Sequence, residues 1–202
     1  MANTLKRSAA AGIVCEILYF ASVTLFLVTK AELALTLWEI MTVGGAAVML
    51  ITMTAVSDAY RIKPAYRTLM LISLSGTVFI TSIAHFTSIG VVRVLSAQGA
   101  DIPDYFKIGT FPSIEMTLDY TAWGLFMGCA FLMMLLGISD RTIRIFSAVC
   151  AALCFTGFTG SFFLDALWYP APLGYGAGFL IMCIYVLKKA AKPTDETLKR
   201  SE

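Results

Sequence analysis

Apolar and polar positions fall in long blocks along this chain. Apolar runs cover residues 8–29, 35–56, 68–92, 114–139, 143–164 and 173–187, separated by short polar stretches that gather most of the charge. A tilted helix needs about 20 such residues to cross the hydrocarbon core of a bilayer. The pattern predicts an all-α polytopic membrane protein, a six-helix transmembrane bundle in one domain over residues 1–188, with a polar cytoplasmic tail over 189–202. The first run follows Lys6 and Arg7 as a signal peptide would. It contains Glu16, however, and lacks a small-x-small cleavage site, so it is expected to be retained.

The loop charges give the orientation. Twelve of the fifteen Lys and Arg residues fall on one side, and Lys30, Arg93 and Lys107 fall on the other. By the positive-inside rule both termini are then cytoplasmic, and the alternation across successive loops requires an even number of spans. Trp38, Trp168 and Tyr169 are expected at the outer interface, and Tyr60, Tyr66 and Tyr185 at the inner one. The one substantial loop, 93–112, is outside, where it either connects the spans or folds over the outer mouth as a lid.

Polar residues inside the runs are costly. An ionised side chain at mid-bilayer costs on the order of 2.5–3.5 kcal/mol on insertion, so such groups face the bundle interior. Six candidates stand out: Glu16, Glu39, His85, Glu115, Asp119 and Asp165. At about 1.5 Å per residue, His85 lies roughly 12 Å below the outer boundary and Asp119 roughly 10 Å below it, a matching depth. Glu39 and Asp165 lie nearer that boundary, within reach of the interface. Glu115 follows Ser113, an N-cap, and stands in a first helical turn, where the dipole favours an acid. Glu16 lies in the inner half.

Helical spacing orients several of these groups. Ser73, Thr77, Thr81, His85 and Ser88 share one face of the third span. Cys150, Cys154, Gly157, Ser161 and Asp165 form a narrower stripe on the fifth, and Ser8, Gly12, Cys15, Glu16, Tyr19 and Ser22 line the first. Stripes of small and hydroxyl residues also pack membrane helices closely, as do the spacings Gly124–Gly128 and Gly174–Gly178.

Composition removes most enzymatic chemistry. Apolar residues make up 58% of the chain and charged residues only 14%, with a net charge of +2, so there is no nucleic-acid footprint. A single histidine excludes bis-histidine haem and multi-histidine zinc sites, including those of ceramidase-like hydrolases. No lysine stands in mid-span to form a retinal Schiff base. A rhomboid-type serine protease needs its nucleophile and histidine on different helices, but Ser75-Gly76 and His85 share one. Five cysteines, Cys15, Cys129, Cys150, Cys154 and Cys183, lie in apolar runs without a C-x-x-C pair, as packing residues rather than a redox couple. No catalytic residue, metal ligand or cofactor is assigned.

Two resemblances add to this reading. Ala11-Gly12-Ile13-Val14-Cys15-Glu16 resembles the first span of small multidrug transporters, where an acid among small residues exchanges protons for drug; this implies proton coupling at Glu16. Leu37-Trp38-Glu39-Ile40, Ala84-His85-Phe86, Tyr105-Phe106-Lys107-Ile108-Gly109, the block from Pro112 to Gly124, and Leu173-Gly174-Tyr175-Gly176 together resemble uncharacterised small bacterial membrane proteins of the domain-of-unknown-function type. That resemblance implies a bacterial cytoplasmic membrane and no activity.

The leading expectation is that His85, Asp119, Glu39, Glu115 and Asp165 line an outward-facing polar pocket that binds or transports a small cationic or amphipathic molecule. The alternatives are a non-catalytic membrane scaffold and an intramembrane enzyme using Asp119 with Asp165, although the intramembrane aspartyl motif G-x-G-D is absent. The expected partners are the lipid bilayer, that ligand and a second copy of the chain. Cysteine labelling of intact cells, on a variant freed of native cysteines, checks the topology. A cysteine at position 101 is expected to react with an impermeant reagent from outside, and one at 195 to be protected; the reverse pattern inverts or breaks the six-span arrangement.

Overall fold

The structure, a computed structural model, describes residues 2–191; residues 192–202 of the expected tail, with Lys192, Lys199, Arg200 and labelling position 195, lie outside the described residues. Six helices are long and apolar enough to cross a membrane: α1 (Asn3–Thr29), α2 (Glu32–Ala59), α3 (Pro64–Ala97), α4 (Ile114–Gly137), α5 (Arg141–Ser161) and α6 (Asp165–Ala190). No strand occurs among the described residues.

Local signals start and stop these helices. Lys30 and Arg61 adopt the left-handed conformation, with φ of 54° and 51°, which turns the chain sharply after α1 and α2. Pro64 opens α3, where its missing N–H costs nothing. The Ser113 hydroxyl accepts the Met116 N–H at 3.1 Å to cap α4, and the Asp140 carboxylate accepts the Ile143 N–H at 3.0 Å to cap α5.

Three boundaries and one side chain differ from expectation. α3 continues to Ala97, so Arg93 lies within the helix rather than in the loop. α5 ends at Ser161, because the backbone at Leu164 is extended (φ −160°, ψ 133°). Asp165, expected at the outer end of the fifth helix, therefore opens α6 in a 3₁₀ turn, Asp165–Trp168, followed by Pro170 and Pro172 in positions an opening helix tolerates. Trp168 is buried, not interfacial, with its ring 4.3 Å from that of Tyr120, whereas Tyr169 is exposed.

Each helix packs against the next in the chain, and α6 returns to α1, so the bundle closes into a ring. The polar stripes face inward. Ser73, Thr77, Thr81, His85 and Ser88 are all buried, as are Ser8, Cys15, Glu16 and Ser22. Close approach is clearest where α5 meets α6. A Cβ at Gly157 would stand 2.6 Å from the Trp168 carbonyl oxygen and 2.7 Å from the Ala171 Cβ, so a larger residue would force the two helices apart.

The interior is divided along its length. Toward the end where α1 begins and α6 finishes it is filled mainly by Met53, Met70, Phe131, Met134, Phe179 and Met182, with the hydroxyls of Ser8, Thr52, Ser57 and Ser147 buried among them. Toward the opposite end it becomes polar. At the end where α1 begins and α6 finishes, Lys189 Nζ lies 2.5 Å from Asp140 Oδ2, and 5.2 Å and 5.7 Å from the ring centres of Tyr60 and Tyr185, joining α5, α6 and the end of α2.

Burial pushes the Asp140 carboxyl up, but the hydrogen bond from Lys189 and the N–H groups of Ile143 and Thr142 outweigh it and hold the group below its ordinary value. A depressed folded value makes the stabilisation complete above the ordinary aspartate range and removes it as pH falls through the lowered value. Asp140→Ala is expected to cost at least about 1 kcal/mol at neutral pH through the lost cap alone. Thermal unfolding in mild detergent checks this, and the gap to wild type should close in acid.

Candidate functional site

Four of the six acidic and histidine candidates converge in the polar half, and a fifth group joins them. His85 on α3 stands between two carboxylates, with Nδ1 3.7 Å from Glu39 Oε1 on α2 and Nε2 3.4 Å from Asp119 Oδ1 on α4. Each imidazole nitrogen thus faces one acid at slightly more than hydrogen-bonding distance. Glu39, expected within reach of the interface, is only 1% exposed. Its other oxygen forms an ion pair with Arg93, whose guanidinium also donates to the Thr36 hydroxyl.

Arg93 reaches this cluster because α3 is not a regular helix. In a regular helix residue 92, seven on from His85, would lie over the same face. A π turn over Ser88–Val92 takes up one residue more, and that position passes to Arg93. Spacing read as ideal helix therefore misses Arg93. The only sequence signal for it is a basic residue immediately after a run that already carries a polar face.

Glu115 is one helical turn from Asp119 and only 2% exposed, so it does more than complement the dipole of its helix. Neither of its carboxylate oxygens has a partner in hydrogen-bonding geometry; His85, Arg93 and the backbone N–H of Ile108 are the groups close enough to act on it. Asp119 is the most open member, with 17% of its side chain exposed. The loop after α3 folds back toward this region, and the Gly109 N–H meets Met116 Sδ at 3.2 Å.

The charges in the cluster do not balance. Three carboxylates, Glu39, Glu115 and Asp119, face Arg93 and one imidazole. Even with His85 protonated, one negative charge is left over. Leaving a buried carboxylate unpaired costs several kcal/mol unless a proton or another cation neutralises it. Among the described residues no group of His, Cys, Asp and Glu is arranged to hold a metal ion.

Asp165 and Glu16 stand apart. Asp165 accepts a hydrogen bond from the Tyr120 hydroxyl, while Asp119 turns to His85, so the two aspartates engage different partners. Next to the cluster lies an aromatic layer in which the Trp123 and Tyr175 rings are 4.6 Å apart and Trp168 is 6.3 Å from Tyr175. Beyond it Glu16, 3% exposed, faces a cavity of about 10 Å³ that is also lined by Tyr19, Thr42, Trp123 and Tyr175. A larger hollow of about 490 Å³ opens on the outside of the bundle between α1 and α2, but its walls, including Ala11, Val14, Leu18 and Val48, are apolar.

Comparison of the chain with family models, with curated proteins and with solved structures finds no match. What the protein does is therefore argued from this cluster.

Arg93→Leu is expected to leave Glu39 buried without its guanidinium, a loss of about 3–5 kcal/mol. Combining it with Glu39→Gln should recover most of that loss. Unfolding of the two single variants and the double variant in mild detergent measures the coupling; additive effects would mean that the two side chains act independently.

Proposed function

We propose that this chain is a multi-pass membrane protein, with both termini cytoplasmic, that binds a small organic cation from the outer side and exchanges it for a proton. The observation that carries the reading is Glu115, a fully buried carboxylate with no hydrogen-bond partner inside a cluster with one carboxylate too many. Asp119, part-exposed, is the point of entry. A cation arriving there supplies the missing positive charge, and the proton that otherwise neutralises one of the three carboxylates is released in exchange. Arg93 cannot take that role, because a guanidinium stays protonated. It holds Glu39 and keeps the number of exchangeable charges small. The twelve-to-three division of basic residues supports the orientation.

A scaffold reading draws on the same cluster, because Glu39, His85, Arg93 and Asp119 tie α2, α3 and α4 together. Native mass spectrometry of gently solubilised protein separates the two, since a retained small molecule favours binding and a stoichiometric protein partner favours a scaffold.

Equilibrium binding of tetraphenylphosphonium to the purified full chain tests the cation reading. Asp119→Asn should weaken binding about tenfold or more, as expected for loss of one charged contact of about 1.5–3 kcal/mol. Wild-type affinity should fall as pH is lowered, because proton and cation compete for the same negative charge. Binding indifferent to both changes, or no binding at all, would overturn the reading.

A further inference from the structure

Between α1 and α2 the bundle leaves a space that its own side chains do not fill. The hollow of about 490 Å³ has walls formed by Ala10, Ala11, Val14 and Leu18 of α1 with Gly44 and Val48 of α2, a size within the range of roughly 300–1,000 Å³ for sites that take one small molecule. Small residues open it, and a Cβ at Gly44 would meet nothing within 4 Å. The Thr52 hydroxyl donates to the Ser8 carbonyl at 3.0 Å, which joins the two antiparallel helices beside the mouth and sets Ala11 level with Val48 and Leu18 level with Met41.

The hollow has the depth of one leaflet. From Arg7 to Leu18 is eleven residues, about 16 Å of helix, against about 15 Å for half of the hydrocarbon core. Arg7, Ala11, Val14 and Leu18 follow at intervals of four, three and four, so Arg7 stands at the mouth, on the face of α1 that lines the hollow. Lys6, one turn before Ala10, borders the same face.

Both basic residues are available to a ligand. Arg7 is exposed and Lys6 half-buried, and the first turn of α1 carries no acid. Among the described residues neither forms an ion pair, and Asp58, at the same end of α2, is taken by Arg67 at 2.9 Å.

An apolar hollow one leaflet deep with a guanidinium at its mouth fits one kind of molecule. A hydrocarbon chain alone matches the walls but leaves the bases unanswered, and a free anion does the reverse. A second copy fits poorly, because a two-fold contact sets the same patch against itself and would bring the Lys6 and Arg7 of both chains together at one level. A guanidinium presents paired N–H donors to phosphate oxygens, and basic residues next to a span attract anionic lipids.

We infer that the hollow between α1 and α2 is a site for one anionic phospholipid, with an acyl chain along Ala11, Val14 and Leu18 and the phosphate on Arg7 and Lys6. The inference stands independently of the exchange reading.

Native mass spectrometry of the full chain, from micelles doped with equal amounts of phosphatidylglycerol and phosphatidylcholine, tests this. Wild type should retain one phosphatidylglycerol per chain, a mass distinct from that of any small cation. Replacing both bases, Lys6→Gln with Arg7→Gln, should lower the preference for phosphatidylglycerol at least about tenfold, since each base near the headgroup is worth about fivefold. Gly44→Leu places a side chain in open space and should abolish retention while thermal unfolding in lipid-free detergent stays no lower than in wild type. Ala11→Leu, from the opposite wall, should do the same and keeps the test standing if the first variant fails to fold. Equal retention of the two lipids by wild type, or undiminished retention in both filling variants, would overturn the site. A dimer that the filling variants split would also overturn it, in favour of a second copy.

Discussion

The buried ion pair between Glu39 and Arg93 is the interaction on which the polar half of the bundle depends. An acid on α2 that is closed off from solvent has to be neutralised from within the protein, and the guanidinium that reaches it comes from the last turns of α3. Meeting that demand fixes the rotation of the end of α3 about its axis. It also brings His85 between Glu39 and Asp119, because all three helices then turn their polar stripes to one point. A buried pair of this kind adds little net stability relative to a well-packed apolar interior. What it confers is a single arrangement of α2, α3 and α4.

The other end of the molecule is built on different physics. Methionine and phenylalanine side chains fill the interior there, and thioether chains adapt to irregular gaps without demanding partners. The clasp of Asp140, Lys189, Tyr60 and Tyr185 lies at the rim, where water shares the cost of charge. The bundle is thus mainly apolar and adaptable at one end, with only hydroxyls buried there, and carries its buried charges at the other. Glu16 sits between the two regimes, the last acid before the apolar filling begins.

Much of this was legible in the sequence, for identifiable reasons. Six apolar blocks correspond to six helices because the lengths needed to cross hydrocarbon are hard to mistake. The hydroxyl stripe leading to His85 is legible because four-residue spacing survives along the first two-thirds of α3. The matching depth of His85 and Asp119 follows from counting residues from the loop between them. What was not legible depends on departures from regular helix. Arg93 looked like a loop residue because no periodicity signals a π turn, and the opening of α6 looked like a connector because Asp165, Pro170 and Pro172 interrupt its hydropathy. Trp168 looked interfacial because an aromatic near a helix end reads the same whether it faces lipid or protein.

The π turn at Ser88–Val92 is one of three among the described residues, with others at Thr121–Phe126 and Leu173–Gly178, and all three lie in helices that line the interior. Such a turn is a helix with one residue more than regular winding requires. Wound as regular helix at unchanged length, any of them would still leave a continuous, apolar, membrane-length helix, yet everything beyond it would be turned by about 100°. In α3 that rotation would carry Arg93 away from Glu39 without altering any charged or hydroxyl side chain. Chain length and winding within these turns are thus one piece of heritable information, and a related chain one residue shorter there would keep the site only by losing the π turn with the residue.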